Sequence, residues 1–484
     1  MYYNVSMKKI LFLLIIIACA GIGIVFAQAK TNGKVYMESV KIKNPSVAGI
    51  FYPSDKDKLV KQINAFKKNS INNYKISTRA VIVPHAGLIY SGRLAYEGIS
   101  QLDKSIKNIF IIAPAHRVPF SGLALTSYDS WSTPLGEISI NKEINNELVS
   151  KFGAKINDEP LAPEHAIEVE IPFIQTVFKD VKIIPILVGN EDSQKIYEII
   201  SYYYKNPQNG FIISSDLSHY MSDENARRVD SYTAQLIETG VIDNFPNELA
   251  CGATGIKGLI KFANQQDFSL IRIDMTNSSS TSFDRNRVVG YGCWFLYEGK
   301  RNEFIKEYYS DFILNLCKES IKNKTINPSE IEYPKVLSEY GAVFVTLEKN
   351  GQLRGCIGSI IPQRPLINDI ITNAKNSAYA DPRFKPVDKS EIKDLSIAVS
   401  LLSIPKPMQF KNEEGLLNQI RQNIDGIIIK DNGHQAVYLP SVWEQIPDKK
   451  EFLNSLKVKA GLSPNHFSKT FEAYRFETSY IKEK

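Results

Sequence analysis

The sequence of 484 residues contains only five cysteines, at positions 19, 251, 293, 317 and 356, and none of them forms a CxxC pair. This spacing argues against a zinc ribbon, a thioredoxin-type motif and a disulfide scaffold. Any cysteine chemistry must therefore involve single residues.

The chain also lacks an excess of charge and the usual nucleotide or hydrolase motifs. There are 58 Lys and Arg against 52 Asp and Glu, a net charge of +6, and the basic residues are scattered along the chain. This distribution does not favour nucleic-acid binding. The sequence has no Walker loop, no G-x-G-x-x-G after a strand and no G-x-S-x-G elbow, so nucleotide-driven and serine-hydrolase functions are disfavoured. The hydrophobic content of 43% is that of a globular protein, and the length suffices for about two or three domains.

Residues 1–27 carry the only long apolar run. Met7, Lys8 and Lys9 precede an apolar stretch that ends near Phe26 and Ala27. This pattern predicts a signal peptide or an N-terminal anchor. A lipoprotein signal at Cys19 is a further alternative. All three place the body of the protein outside the cytoplasm, secreted or periplasmic, with membrane contact only through this segment.

Residues 33–300 are predicted to form an α/β domain with a central sheet flanked by helices. Short apolar runs alternate with amphipathic stretches, as expected when strands and helices take turns along the chain. The clearest strands are predicted at Ala80 to Pro84, Ile109 to Ala113, Val181 to Val188 and Phe211 to Ser215.

Residues 301–330 are polar and helical in pattern, and they are predicted to be a connector helix. Residues 331–482 are predicted to form a second domain of the α+β class. It begins with a strand at Gly341 to Leu347 and a helix from about Pro365 to Ala380. Further strands are predicted at Leu395 to Leu402, Gly426 to Ile429 and Ala436 to Leu439.

Four of the six histidines lie in compact, turn-rich motifs of the first domain: His85, His116, His165 and His219. Three of them follow predicted strands, and ligands gather where strand ends meet loops in open α/β sheets. Imidazole and thiolate are ligands of iron, copper and zinc. Two His with Cys251, or two His with Asp216, would make a three-ligand site with open positions. Alternatively, each His is a satisfied loop or core residue, and Ser214 to Asp216 only cap the next helix.

Five motifs in the first domain resemble, in order, those of the Memo-like family, also called AmmeMemoRadiSam system protein B. They cover nearly all of residues 45–300: Ala48 to Pro53, Val83 to Gly92, Trp131 to Gly136, Glu164 to Glu168 and Ser214 to His219. That family is similar in fold to the extradiol ring-cleaving dioxygenases, which use non-haem iron.

The resemblance implies a metal site at His85, His116 and Cys251, with Fe(II) as the expected metal and Cu or Zn as alternatives. His219, Asp216 and His165 are the expected catalytic groups, with His219 as acid or base. The sequence departs from the family at Arg117, where many members carry a second His, and after Cys251. Both departures concern the substrate pocket more than the metal.

The second domain resembles the AMMECR-type domain, AmmeMemoRadiSam system protein A, over about residues 310–482. The motifs that carry this resemblance are Gly341 to Leu347, Leu353 to Gly358 and Ala378 to Phe384. Arg354 and Cys356 form a further candidate site for an anion or a nucleophilic thiolate. The alternative is a tight turn that holds a buried Cys. No His accompanies Cys356 within its motif, so a cysteine-hydrolase function is disfavoured.

Three functions follow from these resemblances. The first is a metal-dependent oxidoreductase with a dioxygenase-like site. The second is a non-catalytic binding or scaffold protein that captures a peptide or small ligand in the same cleft. The third is an accessory role with a radical SAM protein in a modification system, although radical SAM enzymes are normally cytoplasmic and the N-terminal segment predicts export.

Overall fold

The computed structural model describes residues 26–31, 34–70, 76–322 and 326–483. Most of the predicted signal or anchor segment, residues 1–25, lies outside the described residues. Among the residues described, no helix combines the length and apolar character needed to cross a membrane. Cys251, Cys293, Cys317 and Cys356 are all free thiols.

The strands of the N-terminal domain are β1 (Phe26–Thr31), β2 (Lys34–Ser39), β3 (Ile42–Lys43), β4 (Ala80–Val83), β5 (Asn108–Pro114), β6 (Leu123–Leu125), β7 (Ser130–Thr133), β8 (Gly136–Ser139), β9 (Lys155–Ile156), β10 (Lys182–Val188), β11 (Asn209–Ser214), β12 (His219–Met221), β13 (Ser269–Asn277) and β14 (Val288–Tyr297). Its helices are α1 (Lys56–Lys68), α2 (Leu88–Ser100), α3 (Lys142–Phe152), α4 (Ile171–Val177), α5 (Ser193–Tyr203), α6 (Asp223–Thr239), α7 (Ala253–Gln266) and α8 (Ser279–Ser282).

The main sheet of this domain has the strand order β12-β14-β4-β11-β5-β10-β6-β9, with β13 paired to β14. Its centre, β4, β11, β5 and β10, is parallel. β4 and β11 are buried along their whole length, as expected for parallel strands covered on both faces. The predicted α/β class and the four predicted strands are therefore confirmed.

Successive residues of β4 enter two different cores, because side chains alternate across a strand. Val81 and Val83 pack on one face, where α2 contributes Leu94. Ala80 and Ile82 pack on the other face, which α5 and α7 cover. The sheet therefore lies between two helical layers.

The C-terminal part begins with α9 (Arg301–Lys322) and continues with β15 (Tyr340–Lys349), β16 (Gln352–Gly358), β17 (Arg364–Pro365), α10 (Leu366–Tyr379), β18 (Leu395–Leu402), β19 (Lys406–Pro407), α11 (Glu413–Gln419), β20 (Gly426–Asp431), β21 (His434–Tyr438), α12 (Lys449–Lys459), β22 (Glu472–Phe476) and β23 (Thr478–Lys482). One antiparallel sheet has the order β16-β15-β18-β23 with β17 on β15, and a second has the order β19-β22-β20-β21. These elements confirm the predicted α+β class.

The helix α9 packs against the C-terminal sheet. Tyr379 of α10 donates a hydrogen bond to the carbonyl of Ile321 at 2.8 Å, and Ser479 of β23 donates to Glu303 at 2.5 Å. The division of the chain at residues 300 and 331 stays a prediction.

The two domains share one hydrophobic core. The buried cluster that contains Val81 and Ile273 of the N-terminal domain continues through Leu337 to Val343 and Ile370 of the C-terminal domain. Arg301 also pairs with Glu339 at 3.1 Å in this region. The two domains therefore form a continuous interior.

Candidate metal centre

The candidate centre lies at the carboxyl ends of the parallel strands. β4 leads through Pro84 to His85, β5 leads through Ala115 to His116, and β11 leads through Ser215 to Asp216. Because the strands are parallel and adjacent, their carboxyl ends meet at one edge of the sheet. The sequence predicted that residues following the strand ends would meet at this edge, and the structure confirms this prediction.

Three histidines form a compact group at this edge. His85, His116 and His165 each offer one ring nitrogen, and these atoms all lie within 4.8 Å of one another. The ring centroids of His85 and His116 are 5.1 Å apart, and those of His116 and His165 are 4.8 Å apart. His85 and His165 are buried, while His116 is exposed, so the group opens to solvent on one side.

His85 is held by a hydrogen bond to Ser214 on the neighbouring strand. The Nδ1 atom of His85 lies 2.7 Å from Ser214 Oγ, which itself donates to the carbonyl of Ala166 at 2.8 Å. Ser214 Oγ is thus positioned to accept a hydrogen bond from the Nδ1–H group, which leaves Nε2 as the available ligand atom. Burial, with the neighbouring His116 and His165, lowers the pKa of His85 well below 6.5. The ring is therefore neutral at pH 7, as metal binding requires.

Glu164 orients His116. Its carboxylate accepts hydrogen bonds from the backbone N–H of His116 at 2.6 Å and from the ring Nδ1 of His116 at 3.0 Å. Burial opposes ionisation of Glu164, but these hydrogen bonds lower its pKa well below the usual range. A carboxylate on Nδ1 fixes the imidazole so that Nε2 faces the ligand.

His165 lies beside both of these rings and under Phe51, whose ring centroid is 4.5 Å from its own. Its Nδ1 atom is buried and has no hydrogen-bond partner, although Glu164 Oε1 lies 3.0 Å away. That oxygen already accepts from three donors, including the backbone N–H groups of His165 and Ala166. An unsatisfied buried imidazole nitrogen is costly unless something binds it.

Cys251 lies beside the Nε2 atom of His85. Its Sγ atom is 3.3 Å from His85 Nε2 and accepts a hydrogen bond from the backbone N–H of Asp216 at 3.2 Å. Burial, reinforced by the charge of Asp216, raises the pKa of the Cys251 thiol to about 12. The resemblance placed Cys251 third in the ligand set, whereas the histidine group has His165 in third place. Both residues border His85, and the choice between them stays a prediction.

Asp216 and His219 lie in the same region. Asp216 Oδ1 accepts a hydrogen bond from the backbone N–H of His85 at 2.9 Å, and burial raises the pKa of Asp216 to about 7. His219 begins β12, and burial lowers its pKa below 6.5, with the charge of His116 acting in the same direction.

The helix-capping alternative for Ser214 to Asp216 is wrong. The next helix, α6, is capped by Ser222, which accepts from the backbone N–H of Asn225. Ser214 and Asp216 instead contact His85.

The sequence did not assign roles to Glu164 and Ser214, although both lie in motifs that were singled out. Glu164 precedes His165, and Ser214 ends a strand beside the one that leads to His85. A carboxylate next to a candidate ligand was the signal that could have identified Glu164.

The second candidate site differs from its expectation. Arg354 is bound to Glu391 at 3.2 and 3.3 Å and to the carbonyl of Lys385. The cation that contacts the motif cysteine is instead Arg383, which donates to the carbonyl of Cys356 at 3.2 Å and is paired with Asp381.

The thiol of Cys356 has a partner of its own, because Thr346 donates to it at 3.3 Å. His434 and His466 bind Ala460 and Asp431, respectively. No contact joins either histidine to Cys356 in the part of the chain that is described. This arrangement favours the structural interpretation of the motif.

Comparison with known proteins shows the family of each domain. A family model described as Memo-like protein matches residues 43–295. The chain belongs to the Memo-like family. A MEMO1 family protein of Thermoplasma volcanium is 32% identical over 262 residues, which cover 52% of this chain and 96% of that protein. A MEMO1 family protein of Aquifex aeolicus is 29% identical over 266 residues and is covered to 98%.

The C-terminal part matches a second family model, described as AMMECR1, over residues 314–481. A crystal structure of an uncharacterized protein, PH0010 from Pyrococcus horikoshii, has 31% sequence identity and a TM-score of 0.34. It covers 36% of this chain and 91% of its own. The two family models show that the chain joins a Memo-like domain to an AMMECR1 domain, as the sequence motifs predicted.

Proposed function

We propose that the Memo-like domain binds one transition-metal ion and acts as a dioxygenase-like oxidoreductase. The observation that carries this proposal is the group of His85, His116 and His165, whose ligand atoms lie within 4.8 Å of one another. Membership of the Memo-like family supports it, because that family resembles the extradiol dioxygenases in fold.

The residues present fit such a metal. Two of the rings have Nδ1 bound by Ser214 or Glu164, and the third has an unsatisfied buried nitrogen. Nitrogen donors, with a thiol alongside, suit iron, copper or zinc and not calcium or magnesium. A bound Fe(II) would supply the redox chemistry by which dioxygen reacts with an organic substrate.

The remaining groups would serve proton transfer. At pH 7 His219 is neutral, because burial lowers its pKa, so it can accept a proton from a substrate hydroxyl. Asp216 is fixed by the backbone of His85 and would orient the substrate or His219.

Metal content of protein purified without oxygen tests the centre. We expect about one iron or copper ion per chain and its loss in His85→Ala, since removal of one ligand from a three-ligand site abolishes tight binding. His434→Ala is the matched control, because His434 binds the carbonyl of Ala460 outside the centre. Negligible metal in all three proteins would contradict the proposal.

Calorimetry in buffers of different ionisation enthalpy decides between Cys251 and His165 as the third ligand. At pH 8 the Cys251 thiol is protonated, because its pKa is about 12, and binding through the thiolate must release about one proton per metal. Coordination through imidazole nitrogens alone leaves the thiol proton in place. Proton release that is absent from Cys251→Ala would assign the thiolate. Metal binding that is lost in His165→Ala and kept in Cys251→Ala would assign the histidine.

A non-catalytic binding role is the second candidate, and exposed apolar side chains close in sequence to residues of the centre favour it. Ile50, Ile89 and Tyr220 are 78%, 60% and 63% exposed, and they neighbour Phe51, the turn after His85, and His219 in the sequence. Exposed apolar side chains that form one contiguous patch mark ligand or peptide contacts. Oxygen consumption with catechol-like compounds by the metal-loaded protein would favour the enzyme, whereas metal binding without oxygen consumption would favour capture of a ligand.

A radical SAM partner and an extracytoplasmic location remain predictions from the resemblance and from the N-terminal segment.

A further inference from the structure

A cleft of about 580 Å³ lies between the two domains. The C-terminal ends of α6 and α7 line one side, and residues 403–406 with β22 line the other. The helix α7 starts two residues after Cys251 and ends at Gln266. The part of α7 that lines the cleft begins at Ile260, and at a rise of about 1.5 Å per residue the cleft lies roughly 10–20 Å along the helix from its start. It is therefore separate from the metal centre.

Three of the five cations that line the cleft are neutralised. Lys300 and Arg421 both bind Glu477, at 2.5 and 2.8 Å. Arg301 binds Glu339 at 3.1 Å. These cations are held by the protein and do not require a ligand.

Each carboxylate that lines the cleft is also paired with a cation. The pairs are Glu238 with Arg272, Asp267 with Lys300, Glu303 with Lys306, and Glu477 with both Lys300 and Arg421. None of these carboxylates is therefore free to neutralise another cation in the cleft.

Lys406 and Arg475 are the two remaining cations. They are direct cross-strand partners in β19 and β22, so their side chains lie on the same face of the sheet. Across the ranges that the structure describes, neither side chain has an ion pair or a hydrogen bond. Like charges placed opposite each other destabilise a strand pair unless an anion lies between or beside them. The fork of Arg475 suits a carboxylate or a related oxyanion.

A smaller, apolar chamber of about 240 Å³ adjoins this cationic cleft. Thr239 and Ile404 line both spaces. Tyr340, Ile361 and Ile404 of the apolar chamber are 43%, 39% and 36% exposed. An amphiphilic anion needs cations for its charged group and exposed apolar side chains for its apolar body. The cleft and the adjoining chamber offer both.

We propose that the interdomain cleft binds a small organic anion with an apolar body. The anionic group binds Lys406 and Arg475, and the apolar body lies against Ile404 and Tyr340. This site is independent of the metal centre and of its reaction.

Fluorescence titration of the full chain with 8-anilinonaphthalene-1-sulfonate tests the proposal, with 4-phenylbutyrate and 4-phenylbutanol as competitors. We expect saturable binding that 4-phenylbutyrate displaces and the uncharged alcohol does not. The Lys406→Gln, Arg475→Gln double variant should bind about tenfold more weakly or worse, because hydrogen bonds to a charged group are lost. Ile404→Ser should weaken binding of the same probe through the apolar half.

Two controls locate the site. Arg228→Gln changes an exposed arginine of α6 outside the cleft and should leave the titration unchanged. His85→Ala should also bind the probe normally, which separates this proposal from the metal centre. Absence of saturable binding, equal displacement by the alcohol, or full binding by the double variant would overturn the proposal.

Discussion

At the scale of single residues, the centre depends on groups that do not themselves bind a metal. Glu164 carries four hydrogen bonds, to the ring of His116 and to three backbone N–H groups. Ser214 links His85 to the carbonyl of Ala166. These two side chains fix which nitrogen of each ring is available. We therefore regard them as positioning residues.

Glu164→Gln should lower metal affinity about 10- to 100-fold, because the amide holds the His116 ring more weakly than a carboxylate does. Competition with a chelator of known affinity measures this change. Glu159→Gln, an exposed residue of the preceding loop, is the matched control. If Glu164 were only structural, unfolding in urea would change and the affinity of the remaining folded protein would not.

At the scale of elements, one buried carboxylate makes several of the contacts that hold the segment at residues 43–52 beside the centre. Glu168 accepts from the backbone N–H groups of Ser46 and Val47 and from the hydroxyl of Tyr52, at 2.7 to 2.9 Å. It also pairs with Lys43 at 3.1 Å, and both side chains are buried. This attachment places Phe51 on His165. The motif at Ala48 to Pro53 thus packs directly against the motif at Glu164 to Glu168.

Glu168→Gln should lower the free energy of unfolding by about 3–5 kcal/mol, because the buried charge of Lys43 loses its partner. Urea unfolding measures the loss, with Glu159→Gln again as the control. Amide exchange should also quicken at residues 43–52 before the central strands are affected. Unchanged exchange in this segment would show that other contacts hold it.

In the C-terminal domain, carboxylates likewise hold the residues of the motif at Leu353 to Gly358 in position. Arg354 is held by Glu391, and the backbone N–H of Cys356 is held by Asp381. Hydrogen bonds from Arg354 and Lys349 lower the pKa of Glu391 to about 2, so this clamp stays ionised at neutral pH. Arg354 and Cys356 therefore help to fix this strand in place.

At the scale of the whole molecule, the two domains are packed as one body. The short 3-10 helix Lys335–Ser338 lies between β13 and α10, and Leu337 within it is fully buried in the shared core. The interdomain cleft lies beside this shared interior and includes residues of both domains.

Leu337→Ala should lower the free energy of unfolding by about 2–5 kcal/mol, because it leaves a cavity in the shared core. Hydrogen exchange should then increase in β13 and in α10 together. Leu456→Ala is the control, because Leu456 is buried in a separate core of the C-terminal domain. An increase confined to α10 would show that the domains unfold independently.

The sequence alone determined the class of each domain, the central strands and the edge at which the histidines meet. Strand periodicity and the residues that follow each strand are local properties, and parallel strands must bring their carboxyl ends together. Local patterns also identified the Memo-like and AMMECR1 domains through their motifs.

The tertiary structure decided which groups contact one another across that edge. The proximity of His165 to His85, the contact of Cys251 with His85, and the support of His116 by Glu164 depend on loops far apart in the chain. The pairing of Lys406 with Arg475 in the cleft depends on strand register. Distances of this kind are set by packing and register, which no single stretch of sequence contains.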